Sequence, residues 1–174
     1  MSFASGIVYE IKDWILWISL SIIFATGIGA ALCVGLDTGT PAMAVVSNSM
    51  LHDSVARNNH FLWLADHGFG EKLIQAFDFQ NGFAKGDVVI VQGQQDYDVG
   101  QVIVYRTSVQ SMPIVHRIIE VNGTTYQTKG DHNPVPDPWK VELGKIEGKV
   151  IAVVPYVGFI KVLPMEALTR VMGK

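Results

Sequence analysis

The stretch that decides the fold reads IVHRIIEVNGTTYQT and covers residues 114–128. Two runs rich in β-branched residues, 114–121 and 124–128, are joined by Asn122-Gly123. Runs of this length and composition are typical of strands, and the Asn-Gly pair suits the positive φ angles of a type I′ turn. The stretch therefore predicts an antiparallel β-hairpin.

Runs of the same kind occur on both sides of this hairpin. Residues 87–92, 101–106 and 148–154 are short, β-branched and bounded by Gly, Pro, Asn or Asp. With the hairpin they predict a mostly β fold built on a small antiparallel sheet. The chain has 174 residues, which suffices for one modest domain but not for two well-packed ones.

Upstream of the predicted sheet, residues 14–36 contain no Asp, Glu, Lys, Arg or His. As a helix these roughly 23 residues span roughly 34 Å, enough for a hydrocarbon core of ~30 Å. We expect an uncleaved transmembrane anchor; the alternatives are a buried core helix and a cleaved signal peptide, whose apolar region is usually about 7 to 15 residues. Lys12 precedes this segment and Asp37 follows it, which predicts that residues 1–13 are cytoplasmic and that residues 37–174 lie outside the cytoplasm, at the cell membrane.

Charge and cysteine content exclude several classes of function. The 13 Lys and Arg residues are outnumbered by 16 Asp and Glu residues, for a formal net charge of -3, so no basic field exists to bind nucleic acid. The single cysteine, Cys33, permits neither a disulfide framework nor a Cys-based zinc site. Gly27 and Ala31 form a small-xxx-small pattern that hints at a partner helix.

Residues 51–85 differ in composition and pattern from the predicted strands. They contain three histidines, the apolar cluster 61–64 and a stretch, 70–79, in which apolar residues share a helical face. We interpret them as a partly helical insertion that contacts the bilayer or the mouth of a peptide groove, because aromatic residues favour the headgroup boundary. The alternative is a small satellite core packed on the β domain.

A candidate nucleophile lies in Ser47-Asn48-Ser49-Met50, directly after the apolar stretch 42–46. A serine at the end of a strand exposes its hydroxyl, and a second serine together with the backbone N–H of Ser49 is suited to bind an oxyanion. The alternative is an ordinary Ser-rich turn.

The candidate base is His116. Strand alternation places it on the face of Ile114 and Ile118 and turns Arg117 the other way, so we expect a partly desolvated imidazole. The alternative is a histidine that is buried in the core, with its hydrogen bonds made and no catalytic role.

Two carboxylates, Asp131 and Asp137, lie in a loop stiffened by three prolines. Either one is suited to hold the tautomer of the histidine. The alternatives are an Asp-rich turn and a divalent metal held by Asp131, His132 and Asp137. We expect no metal or cofactor, because these residues offer few metal ligands and no cysteine lies among them to add one.

Five segments in order resemble the boxes of the type I signal peptidases. They are Ser47 to Met50, Gly86 to Val89, Val115 to Ile119, Thr128 to Asn133 with Asp137, and Gly148 to Ile151 continuing through Val154 to Gly158. The bacterial branch has Lys-Arg where this chain has His116-Arg117, so the resemblance is to the endoplasmic-reticulum and archaeal branch, with an archaeal source preferred. The chain departs from the pattern after Met50, where a proline is missing and the Gly86-Asp87 box lies far downstream.

The resemblance implies a membrane-bound serine endopeptidase that removes signal peptides from secreted preproteins. It makes Ser49 the acylated nucleophile, His116 the general base, Asp137 the third member and Asp131 a second required carboxylate. It assigns Ser47 and the Ser49 amide to the oxyanion hole.

The partners that the resemblance implies are signal peptides, the lipid bilayer and the translocation machinery. The peptide is expected to bind extended along a strand edge at residues 43–46. A non-catalytic, membrane-tethered β module that binds extended peptides or scaffolds a complex is the alternative.

Overall fold

The computed structural model describes residues 3–160 and 162–164, and it divides into two units, Met1–Leu36 and Asp37–Lys174. The first unit is helix α1, Phe3–Gly35. By length and composition its part Glu10–Gly35 can cross a membrane. The hydroxyls of Ser21 and Thr26 donate to carbonyls three or four residues earlier in the helix, which satisfies polar groups that hydrocarbon would leave unpaired.

The second unit is built on one antiparallel sheet, which confirms the predicted mostly β fold. The seven strands lie in the order β1-β2-β7-β3-β4-β5-β6. Their bounds are Ala42–Ala44 (β1), Val88–Gln92 (β2), Val102–Tyr105 (β3), Ile114–Asn122 (β4), Thr125–Lys129 (β5), Lys140–Glu142 (β6) and Ile146–Val154 (β7). A 3-10 turn, Leu143–Lys145, joins β6 to β7.

Strand β3 is buried on both faces and therefore joins the two parts of the core. Val102 and Val104 pack in one apolar cluster, whereas Ile103 and Tyr105 pack in the other. All four side chains are fully buried. Alternate residues of a strand point to opposite faces, so one short apolar run supplies both clusters.

The predicted hairpin is present as β4 and β5, but its turn differs from the expected one. Asn122 pairs with Thr125 across the two strands, so the central turn residues are Gly123 and Thr124. Of these only Gly123 has a positive φ, 59°. A type I′ turn needs positive φ at both central positions, so that prediction is wrong; a positive φ at the first position alone is the requirement of type II′.

The insertion contains two helices, α2 at Ser54–Asp66 and α3 at Glu71–Gln75. The helix expected over residues 70–79 is thus too long, and α2 was not predicted as a helix because its first half carries few apolar residues. Leu64, Phe77 and Phe83 are buried, and Phe83 joins the same core cluster as Val102. The burial of these three side chains agrees with the satellite-core interpretation rather than with the expected membrane contact.

Candidate active site

Ser49 lies on the turn that follows β1. Its hydroxyl shares a hydrogen bond of 3.1 Å with the hydroxyl of Ser47. The turn is held by Asn48, whose carbonyl accepts from the Leu51 N–H at 3.0 Å and whose side-chain oxygen accepts from the Lys85 N–H at 3.0 Å. Within the part of the chain that the structure describes, the Ser49 N–H has no acceptor, so it is available to a substrate oxygen.

His116 is buried on β4 and binds Asp137. The distance from His116 Nδ1 to Asp137 Oδ2 is 2.7 Å. The same oxygen accepts hydrogen bonds from Thr128 Oγ1 at 2.6 Å and from the Tyr105 hydroxyl at 2.9 Å. Such a carboxylate fixes the plane of the imidazole.

The protonation states in this pair follow from its surroundings. Burial favours the neutral carboxyl of Asp137, but hydrogen bonds from His116, Thr128 and Tyr105 outweigh burial and hold its pKa below the ordinary value. Burial raises the pKa of Tyr105, so its hydroxyl stays protonated and donates. An ionised Asp137 only accepts, so Nδ1 of His116 carries the hydrogen and Nε2 of the neutral ring is left with its lone pair.

Gly130 lies between His116 and the turn that contains Ser49. A Cβ atom at this position would be 2.9 Å from His116 Nε2 and 2.9 Å from the Ser49 carbonyl oxygen. Any side chain here would push the two apart, which explains the glycine. The Ser49 hydroxyl faces Ser47, and among the described residues no direct hydrogen bond joins it to His116; such bonds often tighten only with substrate bound.

An apolar groove of about 260 Å³ runs beside Ser49. One wall is Met43 to Val46 with the turn that contains Ser49, and the other is formed by residues 110 and 112–115. Strand β1 is at the edge of the sheet, so one side of its backbone is free to pair with an extended peptide. The strand edge expected at residues 43–46 thus lines the groove.

Asp131 is fully buried and does not bind His116. Arg117 Nε donates to its Oδ1 at 2.9 Å and Arg117 Nη2 donates to its Oδ2 at 2.7 Å. Burial alone would raise the pKa of Asp131, but the Arg117 charge and a hydrogen bond from His52 hold it well below the ordinary range. Adjacent residues of β4 therefore bind different carboxylates.

The structure does not bring together Asp131, His132 and Asp137, the metal site considered from the sequence. Asp131 binds Arg117, Asp137 binds His116, and His132 Nδ1 lies 3.3 Å from the Leu51 carbonyl oxygen. A different trio, His52, His60 and Asp131, has ligand atoms within 4.8 Å of one another. Because Arg117 already occupies both oxygens of Asp131, its charge opposes a cation there.

Sequence reasoning missed His52 and His60. The only signal was that three histidines occur within residues 51–85. His52 Nε2 lies 2.9 Å from Asp131 Oδ2, and His60 Nε2 lies 3.6 Å from Asp131 Oδ1. Burial lowers the pKa of His60 to about 4, so this ring is neutral and its longer contact is not an ion pair.

Comparison with known proteins supports the resemblance of the boxes. The chain is 32% identical over 111 residues to the signal peptidase complex catalytic subunit SEC11 of Pyricularia oryzae, covering 52% of this chain and 64% of that protein. The chain is similar to signal peptidase catalytic subunits. The SEC11 proteins of Verticillium alfalfae and Yarrowia lipolytica are 33% and 31% identical over 98 and 97 residues, 48% of this chain in each case and 57% and 56% of theirs.

These comparisons confirm the resemblance to type I signal peptidases. They cover only part of each relative, and they do not support the expected source. The chain spans less than two thirds of the length of these curated relatives. No family model matches it. The three relatives are fungal, so the expected archaeal source is not supported.

Proposed function

We propose that this chain is a membrane-bound serine endopeptidase that cleaves signal peptides from preproteins. The observation that carries the proposal is the His116–Asp137 pair of 2.7 Å, whose free Nε2 faces the same glycine as the Ser49 turn. The similarity to signal peptidase catalytic subunits supports it independently.

The peptide substrate pairs with the edge of β1 and lies extended in the groove. The groove beside Ser49 is apolar and has a volume of about 260 Å³, which suits small residues before the scissile bond. Backbone pairing supplies affinity for many sequences, and the pockets for alternate side chains supply specificity.

Acyl transfer begins when the Ser49 hydroxyl turns from Ser47 towards His116 and attacks the scissile carbonyl carbon. His116 Nε2 takes the hydroxyl proton, and Asp137 stabilises the imidazolium that forms. The Ser49 N–H and the Ser47 hydroxyl donate to the oxyanion.

Collapse of the tetrahedral intermediate completes the reaction. His116 returns its proton to the leaving amine, and the signal peptide remains as an ester on Ser49. A water molecule activated by His116 then hydrolyses the ester and frees the enzyme. Asp131 does not contact the reacting atoms, and its role is to hold Arg117 and the loop that contains Gly130.

Helix α1 anchors the peptidase in the membrane across which preproteins are translocated. Residues 1–13 are then on the cytoplasmic side, and residues 37–174 are on the other side, outside the cell or in a lumen. Anchoring raises the effective concentration of membrane-held signal peptides and spares soluble proteins. Because the relatives are subunits of a complex, partner subunits or the translocation machinery are expected beside the substrate and the bilayer.

The test uses the full chain in detergent with a preprotein that carries a signal peptide. We expect the wild type to release the mature protein, and Ser49→Ala and His116→Ala each to abolish release. Their effects should not add, because the two side chains pass one proton. Ser108→Ala, at an exposed serine that does not line the groove, is the matched control. Cleavage by Ser49→Ala at the wild-type rate, or a wild type that binds the preprotein and never cleaves it, would remove the proposal.

A further inference from the structure

His52 connects the insertion to the buried centre of the domain. It follows Ser49 by three residues, and its side chain is only 1% exposed. Its Nδ1 lies 2.8 Å from the carbonyl oxygen of Gln80, and its Nε2 lies 2.9 Å from Asp131 Oδ2. The ring therefore joins both ends of the insertion to a carboxylate 79 residues away along the chain.

Both partners of His52 are acceptors. A backbone carbonyl cannot donate, and Asp131 is ionised because Arg117 binds both of its oxygens. Two hydrogen bonds at these distances require a hydrogen on each ring nitrogen, which is the imidazolium form. Loss of one proton would leave a lone pair of the ring facing either the carbonyl or the carboxylate.

The charges around His52 are compatible with this form. The nearest ring is His60 of α2, at a centroid distance of 5.2 Å, and burial keeps it neutral. Arg117 and Lys129 bring two positive charges to the region, and Lys129 Nζ donates to the Gly130 carbonyl at 3.1 Å. Asp131 is the negative group that His52 contacts directly.

Asp131 links the segments that carry the nucleophile and the base. Through Arg117 it is tied to the residue next to His116 on β4. Through its own loop it reaches Ser49, because the His132 N–H donates to the Ser49 carbonyl at 2.8 Å. His52 adds a third connection, to the chain that leaves the nucleophile turn.

The end of the insertion reinforces this connection. The Phe83 N–H donates to the Met50 carbonyl at 3.0 Å. A Cβ atom at Gly82 would be 2.3 Å from that carbonyl oxygen and 2.7 Å from His52 Cδ2. Gly82 thus lies against both the Met50 carbonyl and the His52 ring, with no space for a side chain.

We propose that His52 is a positioning residue that, as an imidazolium bound to Asp131, sets the separation between Ser49 and His116. The inference rests on the proposed peptidase activity. It also assigns a role to the insertion, which brings His52, His60 and the Gln80 carbonyl together. His52 touches neither substrate nor the reacting atoms and acts through Asp131.

The two histidines are needed in opposite forms. His116 must be neutral to accept the Ser49 proton, whereas His52 must carry a hydrogen on both ring nitrogens to hold Asp131 and the Gln80 carbonyl. Glutamine at position 52 keeps an amide donor for Asp131 but cannot carry the charge.

The test measures kcat and KM against pH for the wild type, His52→Ala, His52→Gln and His67→Gln. His67 is an exposed histidine of the same insertion and serves as the matched control. We expect His52→Ala to lose about 100-fold in kcat with KM nearly unchanged, the scale of a misplaced reacting group. His52→Gln should recover part of kcat and follow a pH profile that differs from that of the wild type, and His67→Gln should match the wild type. A His52→Gln enzyme with the pH profile of the wild type, or a His52→Ala enzyme with wild-type kcat, would overturn the inference.

A second measurement separates this inference from the proposed function. Nitrogen spectra of the histidine side chains in the full-length Ser49→Ala protein report ring charge without turnover, and His52→Gln in that background assigns the signal. We expect His52 to show two protonated nitrogens at pH 6.5. A neutral His52 ring counts against the inference, whereas a wild type that cleaves no preprotein counts against the proposed function.

Discussion

At the residue scale, His116 and Arg117 are neighbours on β4, yet each binds its own aspartate. Successive side chains of a strand point to opposite faces, so His116 reaches Asp137 and Arg117 reaches Asp131. One dipeptide thus contacts two different carboxylates. The two carboxylates are therefore expected to respond differently to the same substitution.

Asp137→Asn is expected to keep the fold and to lower kcat by about 10⁴-fold, because an amide no longer fixes the imidazole in the tautomer that leaves Nε2 free. The measurement is preprotein cleavage under saturating substrate, with unfolding curves to check the fold. Asp96→Asn, at an exposed aspartate, is the control and should retain wild-type kcat. If Asp131→Asn keeps its fold and loses more activity than Asp137→Asn, the roles of the two must be exchanged.

Asp131→Asn is expected to lower stability, in addition to the loss of kcat expected from its contact with His52. The substitution leaves the buried Arg117 guanidinium without its ionic partner, and breaking a buried pair in this way costs about 3 to 5 kcal/mol. The free energy of unfolding in urea measures the loss. A variant as stable as the wild type would show that the pair does not support the fold.

At the element scale, helix α2 presents one leucine to the domain and another to its surroundings. Leu64 is fully buried, whereas Leu62 is 60% exposed. Trp63 between them stacks on His67 with centroids 3.8 Å apart and lies under Lys129 Nζ at 5.0 Å. The helix is thus fastened to the sheet along one side. Contact of its other side with a bilayer stays a prediction.

The two leucines form a matched pair for a stability test. Leu64→Ala should lower the free energy of unfolding by about 2 to 5 kcal/mol, because it removes buried methyl groups and leaves a cavity. Leu62→Ala should change it by less than about 0.5 kcal/mol, as is usual at exposed positions. Equal losses in urea titrations of the two variants would contradict the packing of α2 described above.

At the scale of the whole molecule, stability should depend on pH through His60. Its pKa is about 4 in the folded protein, below the model-peptide value of 6.5. At a pH between these two values, His60 binds a proton in the unfolded chain but not in the folded protein. The free energy of unfolding therefore falls as the pH drops. The lowered pKa of Asp137 acts in the same direction at more acidic pH, because its contribution is lost when the carboxylate is protonated.

The expected loss from His60 is about 2 kcal/mol between pH 7 and pH 5. Urea unfolding of wild type and His60→Phe at the two pH values measures it, and the variant should show a smaller decrease. His67→Phe, at the exposed histidine, should behave as the wild type does. A His60→Phe protein with the full wild-type decrease would show that His60 does not titrate in this way.

Sequence alone determined the features that depend on local pattern and on chain order. The apolar run of α1, the β-branched runs, the hairpin and the candidates Ser49, His116, Asp131 and Asp137 were all readable from neighbouring residues. Helix α2 was not readable, because contacts with the domain stabilise it rather than a strong apolar period of its own. The turn at Gly123 shifted by one residue because cross-strand pairing, not the Asn-Gly pair, fixed the register.

Only the tertiary structure decided which aspartate faces which neighbour on β4. His116 and Asp137 are 21 residues apart, and His52 and Asp131 are 79 residues apart. Such contacts depend on strand register and on the path of the insertion, and a slip of one residue would turn every side chain of a strand to the opposite face. No local pattern encodes that choice, so the pairing of Asp137 with His116 and the reach of His52 to Asp131 had to be read from the fold.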